Sequence, residues 1–206
     1  MTDVAGSNWT TVLRRRIERE RLVDRLLADE QPVYVRSWVY LFGVGTVASL
    51  VVLIFSGVVL AMGGPNWHHT SSVGEFVDSV HWWGVQVFFA SLALHAVAQL
   101  LLATWRGGRR ITWLLGALAF VVAVPTALTG FLSQQNFESQ WIASQAKDAV
   151  DAVGLGWLMN PFDVGRMVTF HVVLLPLVLV SLVALHVVWV RRHGVCPPLE
   201  RAEEAP

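Results

Sequence analysis

Long apolar runs alternate with short polar breaks along this chain. Four runs, at residues 35–62, 76–105, 111–132 and 166–190, each exceed the ~20 residues that a helix needs to cross the ~30 Å hydrocarbon layer. The first has no charge after Arg36 and ends at Gly63-Gly64-Pro65-Asn66. A short basic turn, Arg106 to Arg110, separates the second from the third. A polar connection at 133–165 precedes the fourth, and its 143–158 part is expected to form one short amphipathic helix on the surface. Ahead of the first run, Trp9, Leu13 and Ile17 recur at helical spacing, as do Leu22 with Leu26 and Val23 with Leu27. Arginines 14, 15, 16, 19, 21 and 25 lie between them. That pattern predicts a helix over 9–30 lying on a membrane surface; a solvated charged helix is the alternative.

The predicted fold class is all-α, a four-helix transmembrane bundle with an N-terminal amphipathic surface helix. The expected divisions are 1–34 for the surface helix, 35–192 for the bundle and 193–206 for a tail. Composition agrees. Of 206 residues, 54% are hydrophobic and only 15% charged, with mean hydropathy +0.53, which is too apolar for an ordinary soluble domain. The formal net charge is zero, so nothing argues for a nucleic-acid partner. The single cysteine, Cys196, excludes an internal disulfide and a CxxCH haem-attachment motif.

Charge distribution orients the spans. Arginines fill the N-terminal stretch, the 106–110 turn and the segment after the fourth span, whereas the loop after the first span has neither Lys nor Arg. The positive-inside rule then places both termini in the cytoplasm of a multi-pass protein of the cell membrane, surrounded by lipid. The second and fourth spans run from outside to inside.

Those two spans carry the candidate chemistry. His81 and His95 are fourteen residues apart, and His171 and His186 fifteen. Fourteen residues are just under four helical turns, or ~21 Å, so both imidazoles of a span project from nearly one face at two depths. Ionisable residues within a span are costly and mark function by default. Paired by depth, His81 meets His171 at the outer level and His95 meets His186 at the inner level. Neutral imidazole ligates iron, and bundle cores are where facing helices build such sites. The spacing argues against a zinc site, because the two histidines of one helix, ~21 Å apart, cannot share an ion. Glycines reinforce the reading. Gly43 and Gly57 in the first span, and Gly116 and Gly130 in the third, are also fourteen apart and fall at the same two depths. Lacking a side chain, they let a flat macrocycle approach the backbone. The expectation is two non-covalent, bis-histidine b-type haems, the outer iron on His81 and His171 and the inner on His95 and His186.

The sequence resembles the N-terminal haem domain of cytochrome b from bc-type complexes, and most nearly the split form of the bf complexes, cytochrome b6. The resemblance covers almost the whole chain. It rests on the fifteen-residue spacing of His171 and His186, Arg166 five residues before His171, and Pro176 five after it. Ile111-Thr112-Trp113, Thr129-Gly130 and Arg191-Arg192-His193-Gly194 also fit. It implies electron transfer between quinol or quinone and a partner, in a multi-subunit, dimeric complex with a Rieske-like iron–sulfur protein and a further membrane subunit. Arg166, Arg109 and Arg110 are candidates for neutralising haem propionates; topology marking is the alternative for the last two.

The chain also departs from the family. Leu41 stands where the split form has a cysteine anchoring an extra haem, so no third haem is expected. Asp78 lies just before His81, where the family has an arginine. Gly130-Phe-Leu-Ser-Gln-Gln-Asn136 lacks the Pro-Trp of the family motif, and the following loop is shorter. The Pro-Glu-Trp-Tyr part of the quinol-oxidising site belongs to a C-terminal half outside this sequence. Three functions are therefore distinguished. One is the cytochrome b subunit of a bc/bf-like quinol oxidoreductase. Another is the membrane anchor of a molybdenum dehydrogenase, nitrate reductase or hydrogenase. The last is a structural or assembly subunit, which four intact ligand positions argue against.

Overall fold

The computed structural model describes residues 38–195; the expected surface helix at 9–30 and most of the tail lie outside the described residues. What is described is an all-α transmembrane bundle. Helix α1 spans Trp38–Gly63, α2 is the single turn Trp67–Thr70, and α3 spans Ser72–Leu101. Helix α4 is Arg110–Ser133 and α5 is Phe137–Ala152. Helix α6 runs over Val164–His193, and a π turn at Phe170–Leu174 interrupts it. Helices α1, α3, α4 and α6 are each long and apolar enough to cross a membrane.

Local chemistry sets the ends. Ser71 caps α3, its hydroxyl accepting from the Gly74 N–H at 3.4 Å, so the helix starts ahead of the apolar run that marks it in the sequence. Asp163 does the same for α6, accepting from the Arg166 N–H at 3.0 Å. The helix expected at 143–158 instead occupies Phe137–Ala152. Asn136 caps it by accepting from the Ser139 N–H at 2.8 Å, and Gly154, at φ +74°, closes it.

In lipid, helices associate through close packing of small residues rather than through apolar burial. The α1–α3 seam follows that rule. A Cβ on Gly45 would meet Ser91 Oγ at 3.2 Å, and one on Gly84 would meet Leu53 Cδ2 at 3.1 Å. Ser49 and Ser56 are buried and return their hydroxyls to their own helix, Ser49 to the Gly45 carbonyl at 2.8 Å and Ser56 to the Val52 carbonyl at 2.8 Å. Helix α1 packs along α3, and α4 along α6, more extensively than the two pairs pack on each other.

One buried cluster joins the four spans: Leu50, Phe88, Ala119, Ala123 and Leu179. Phe88 lies seven residues from both His81 and His95, and Leu50 and Ala123 lie seven from the glycines of their own spans. The cluster is thus a plug midway between the two histidine levels. A second cluster, Leu132, Ala143, Ala146 and Met167, seats α5 across the end of α4 and the start of α6. Large apolar side chains elsewhere, such as Leu41, Phe55, Trp83, Leu101 and Leu177, point outward, as expected for a lipid-facing surface.

Candidate functional site

The structure brings the four histidines together in two levels. His81 and His171 face each other at the level of Gly57 and Gly130, with ring centroids 6.1 Å apart and planes at 87°. His95 and His186 occupy the level of Gly43 and Gly116, within electrostatic reach of each other.

Each of the four glycines stands against an imidazole. A Cβ on Gly43 would lie 3.1 Å from His95 Cε1, and one on Gly57 would lie 3.2 Å from His81 Cε1. One on Gly116 would lie 3.1 Å from His186 Cε1, and one on Gly130 would overlap the His171 ring, 2.8 Å from Nδ1. Absence of the side chain lets each ring lie along the neighbouring backbone.

That proximity orients the rings. His171 Nδ1 lies 2.8 Å from the Thr126 carbonyl oxygen, and His186 Nδ1 lies 2.9 Å from that of Thr112. A carbonyl only accepts, so Nδ1–H donates and Nε2 keeps its lone pair. Each acceptor precedes a glycine by four residues: Thr126 before Gly130, and Thr112 before Gly116. His81 Nδ1 lies 2.9 Å from Ser56 Oγ, beside Gly57. The Ser56 proton is spent on helix carbonyls, so here too the imidazole Nδ1–H donates. This pattern, a ligating imidazole held by a hydrogen bond at its other nitrogen, is how proteins fix metal-binding histidines. Ser56, Thr112 and Thr126 escape sequence reasoning because two act through backbone carbonyls, which carry no residue signature. Their offset from the glycines is the only trace.

The arrangement suits an iron porphyrin. Ring centroids 6.1 Å apart at the outer level place two neutral imidazoles within reach of a single ion between them. The inner level holds buried polar atoms without a protein partner: His95 Nδ1, Gln99 Nε2 one turn further along α3, and Thr112 Oγ1. Buried polar groups of this kind call for a ligand or ordered water. Among the described residues, no three His, Cys, Asp or Glu side chains converge to hold a metal ion.

The arginines make other contacts. Arg166 donates from Nη1 to the carbonyls of Trp157 at 3.2 Å and Leu158 at 3.3 Å, and its Nε lies 3.4 Å from Asp163 Oδ2. It ties the loop after α5 to the start of α6, and no histidine is among these partners. Arg109 donates to the carbonyls of Gly194 and His193 at 3.3 and 3.5 Å, joining the start of α4 to the end of α6. His68 and His69 lie on α2 with rings 3.9 Å apart, outside both levels.

Four apolar spans, with two pairs of inward histidines set against glycines, define a membrane electron-carrier scaffold of the cytochrome type. The chain belongs to the cytochrome b (N-terminal)/b6/petB family, whose sequence model matches residues 86–205. It is 30% identical over 184 residues to cytochrome b of Rickettsia conorii, over 75% of this chain and 45% of that protein. It is 27% identical over 186 residues to the menaquinol:cytochrome c reductase cytochrome b subunit of Geobacillus thermodenitrificans, over 79% of this chain and 83% of that one. The fold is shared with a chain of a hyperthermophilic respiratory Complex III, at TM-score 0.70 and 22% identity, over 93% of this chain and 56% of that chain. The chain thus spans less than half the length of relatives such as the Rickettsia protein. Family membership and four apolar spans make it a multi-pass membrane protein, and membership implies haem b as its cofactor.

Proposed function

We propose that this chain is a dihaem b-type cytochrome that moves electrons across the membrane between a quinol/quinone pool and a redox partner. It would serve as the cytochrome b subunit of a bc/bf-like quinol oxidoreductase. One observation carries the reading: two facing histidine pairs at two depths, with each imidazole lodged against a glycine. Similarity to the Geobacillus subunit, over most of both chains, supports the choice of complex.

His81 and His171 would hold the outer haem iron, and His95 and His186 the inner one. Bound haem supplies reversible one-electron chemistry, tuned by its axial ligands and their surroundings. The protein does the rest. Ser56, Thr126 and Thr112 keep Nε2 of their histidines directed away from the backbone. The plug of Leu50, Phe88, Ala123 and Leu179 separates the two levels and keeps water out between them. Arg166 adds positive charge at the outer end of α6, and the basic 106–110 turn does so at the inner end. Both termini lie in the cytoplasm by the distribution of arginines. The partners are quinone, an iron–sulfur protein and a further membrane subunit, in a dimeric complex.

The test is haem stoichiometry and potentiometry of the native complex, with the subunit resolved. Two haem b per chain, titrating in two separate waves, is the expected result. A chain holding one haem, or none, is incompatible with the proposal. Co-purification of an iron–sulfur protein and a second membrane subunit supports the quinol-oxidoreductase assignment, whereas a molybdenum or hydrogenase subunit in their place overturns it.

A further inference from the structure

Helices α3 and α6 space their histidines differently, and the difference is large in angle. Fourteen residues of α-helix fall about 40° short of four full turns, whereas fifteen pass four turns by about 60°. An unbroken α6 would therefore rotate His171 by about 100° relative to the register that His81 keeps with His95. The partner helix requires the shorter register. On α4, Gly116 and Gly130 are fourteen apart, and so are the acceptors Thr112 and Thr126. Yet His186 meets Gly116 and Thr112, while His171 meets Gly130 and Thr126. Fifteen residues on α6 are matched to fourteen on α4.

The π turn at Phe170–Leu174 explains how. There the Leu175 N–H bonds to the Phe170 carbonyl, five residues back, so one residue is taken up without advancing the helical phase. Pro176 lies directly after it. Proline has no N–H, and its ring collides with the carbonyl four residues before it in a regular helix. A widened turn immediately ahead of Pro176 relieves that collision at Val172. Both the surplus residue and the proline are thus accommodated by one irregularity, and His171 lies inside it.

We propose that the π turn at Phe170–Leu174, held by Pro176, is the device that brings His171 into register with His186 and with the outer glycine Gly130. Pro176 is then a positioning residue for the outer haem. This inference rests on the dihaem reading above. Because the turn exists to absorb one residue, the chain should tolerate loss of that residue there and nowhere else between paired ligands.

The experiment compares one-residue deletions in the native complex. The first removes Val173, an exposed residue of the turn, together with Pro176→Ala; the second removes Ala90, an exposed residue of α3 between His81 and His95. Haem per chain is measured by pyridine haemochrome and each haem by its low-spin ferric electron paramagnetic resonance signal. The Val173 deletion is expected to keep two haems and the Ala90 deletion to lose one. A Val173-deleted chain that falls to one haem or fails to assemble overturns the proposal, as does an Ala90-deleted chain that keeps both. A third variant, Pro176→Ala alone, is expected to shift the resonance and midpoint potential of the outer haem and leave the inner one unchanged; no shift in either removes Pro176 from the device. Wild-type protein with fewer than two haems defeats the dihaem reading itself, and that measurement comes before the variants.

Discussion

His171 Nδ1 lies 2.8 Å from the carbonyl oxygen of Thr126, four residues before Gly130, the glycine against which the His171 ring is seated. The same construction recurs one level in, where His186 Nδ1 lies 2.9 Å from Thr112 and the ring is seated against Gly116. The glycine admits the imidazole, and the backbone of the same helical turn then orients it.

Orientation by carbonyl and orientation by side chain respond differently to mutation. Thr126→Ala retains the accepting carbonyl and should leave haem content and potentials close to wild type. Ser56→Ala removes the hydroxyl 2.9 Å from His81 Nδ1 and leaves that ring with the Leu53 carbonyl alone. Loss of such an outer partner costs roughly 10- to 100-fold in metal affinity. Titration of haem into depleted protein should show that loss at the outer site only. Equal effects of the two substitutions would refute the distinction.

Glycine substitutions should rank by the space they invade. Gly130→Ala drives a methyl into the His171 ring, whereas Gly43→Ala places one 3.1 Å from His95 Cε1. Overpacking of this kind costs about 1–3 kcal/mol. Gly130→Ala should therefore lose the outer haem more completely than Gly43→Ala loses the inner. Pyridine haemochrome per chain reads the order directly, and the reverse order would contradict the geometry.

Removing one ligand should remove one haem. His95→Leu and His186→Leu should each leave a chain with a single haem b and one redox wave, the wave matching that lost in His81→Leu and His171→Leu. Haem loss at both levels from any single substitution would show that the levels are not independent.

Haem removal should loosen the molecule between, rather than within, its helical pairs. Helices α1 with α3, and α4 with α6, pack closely, and the two pairs meet at the plug around Phe88 and where α1 approaches the π turn. In the proposed dihaem state, iron bonded to α3 and α6 at two levels would add two crosslinks to that interface, and binding to the native state alone raises stability by linkage. Depleted protein in micelles should melt at lower temperature and exchange backbone amides faster on the faces of α3 and α6 that bear the histidines. In the haem-loaded protein, Phe88→Ala should lower the melting temperature through a cavity cost of about 3 kcal/mol, while the stoichiometry of two haems persists.

Much of this arrangement is legible in the sequence, because lipid imposes strict local rules. Hydrocarbon thickness sets helix length, and unsatisfied backbone is excluded from it, so four apolar runs predict four helices. Helical periodicity puts His81 and His95 on one face and repeats the interval in the glycines of α1 and α4. Boundaries are less legible. The helix after α4 starts earlier than its apolar residues suggest because Asn136 supplies the cap, and Arg166 makes a loop contact that its distance from His171 along the chain does not announce. Three features are decided only by tertiary structure. The glycines face imidazoles directly, carbonyls of Thr112 and Thr126 orient two of those rings, and a π turn converts fifteen residues on α6 into the phase of fourteen. Each depends on which backbone lies across from a side chain, and a linear pattern does not contain that. Periodicity along one helix determines a face, whereas the register between two helices is settled by packing across their interface.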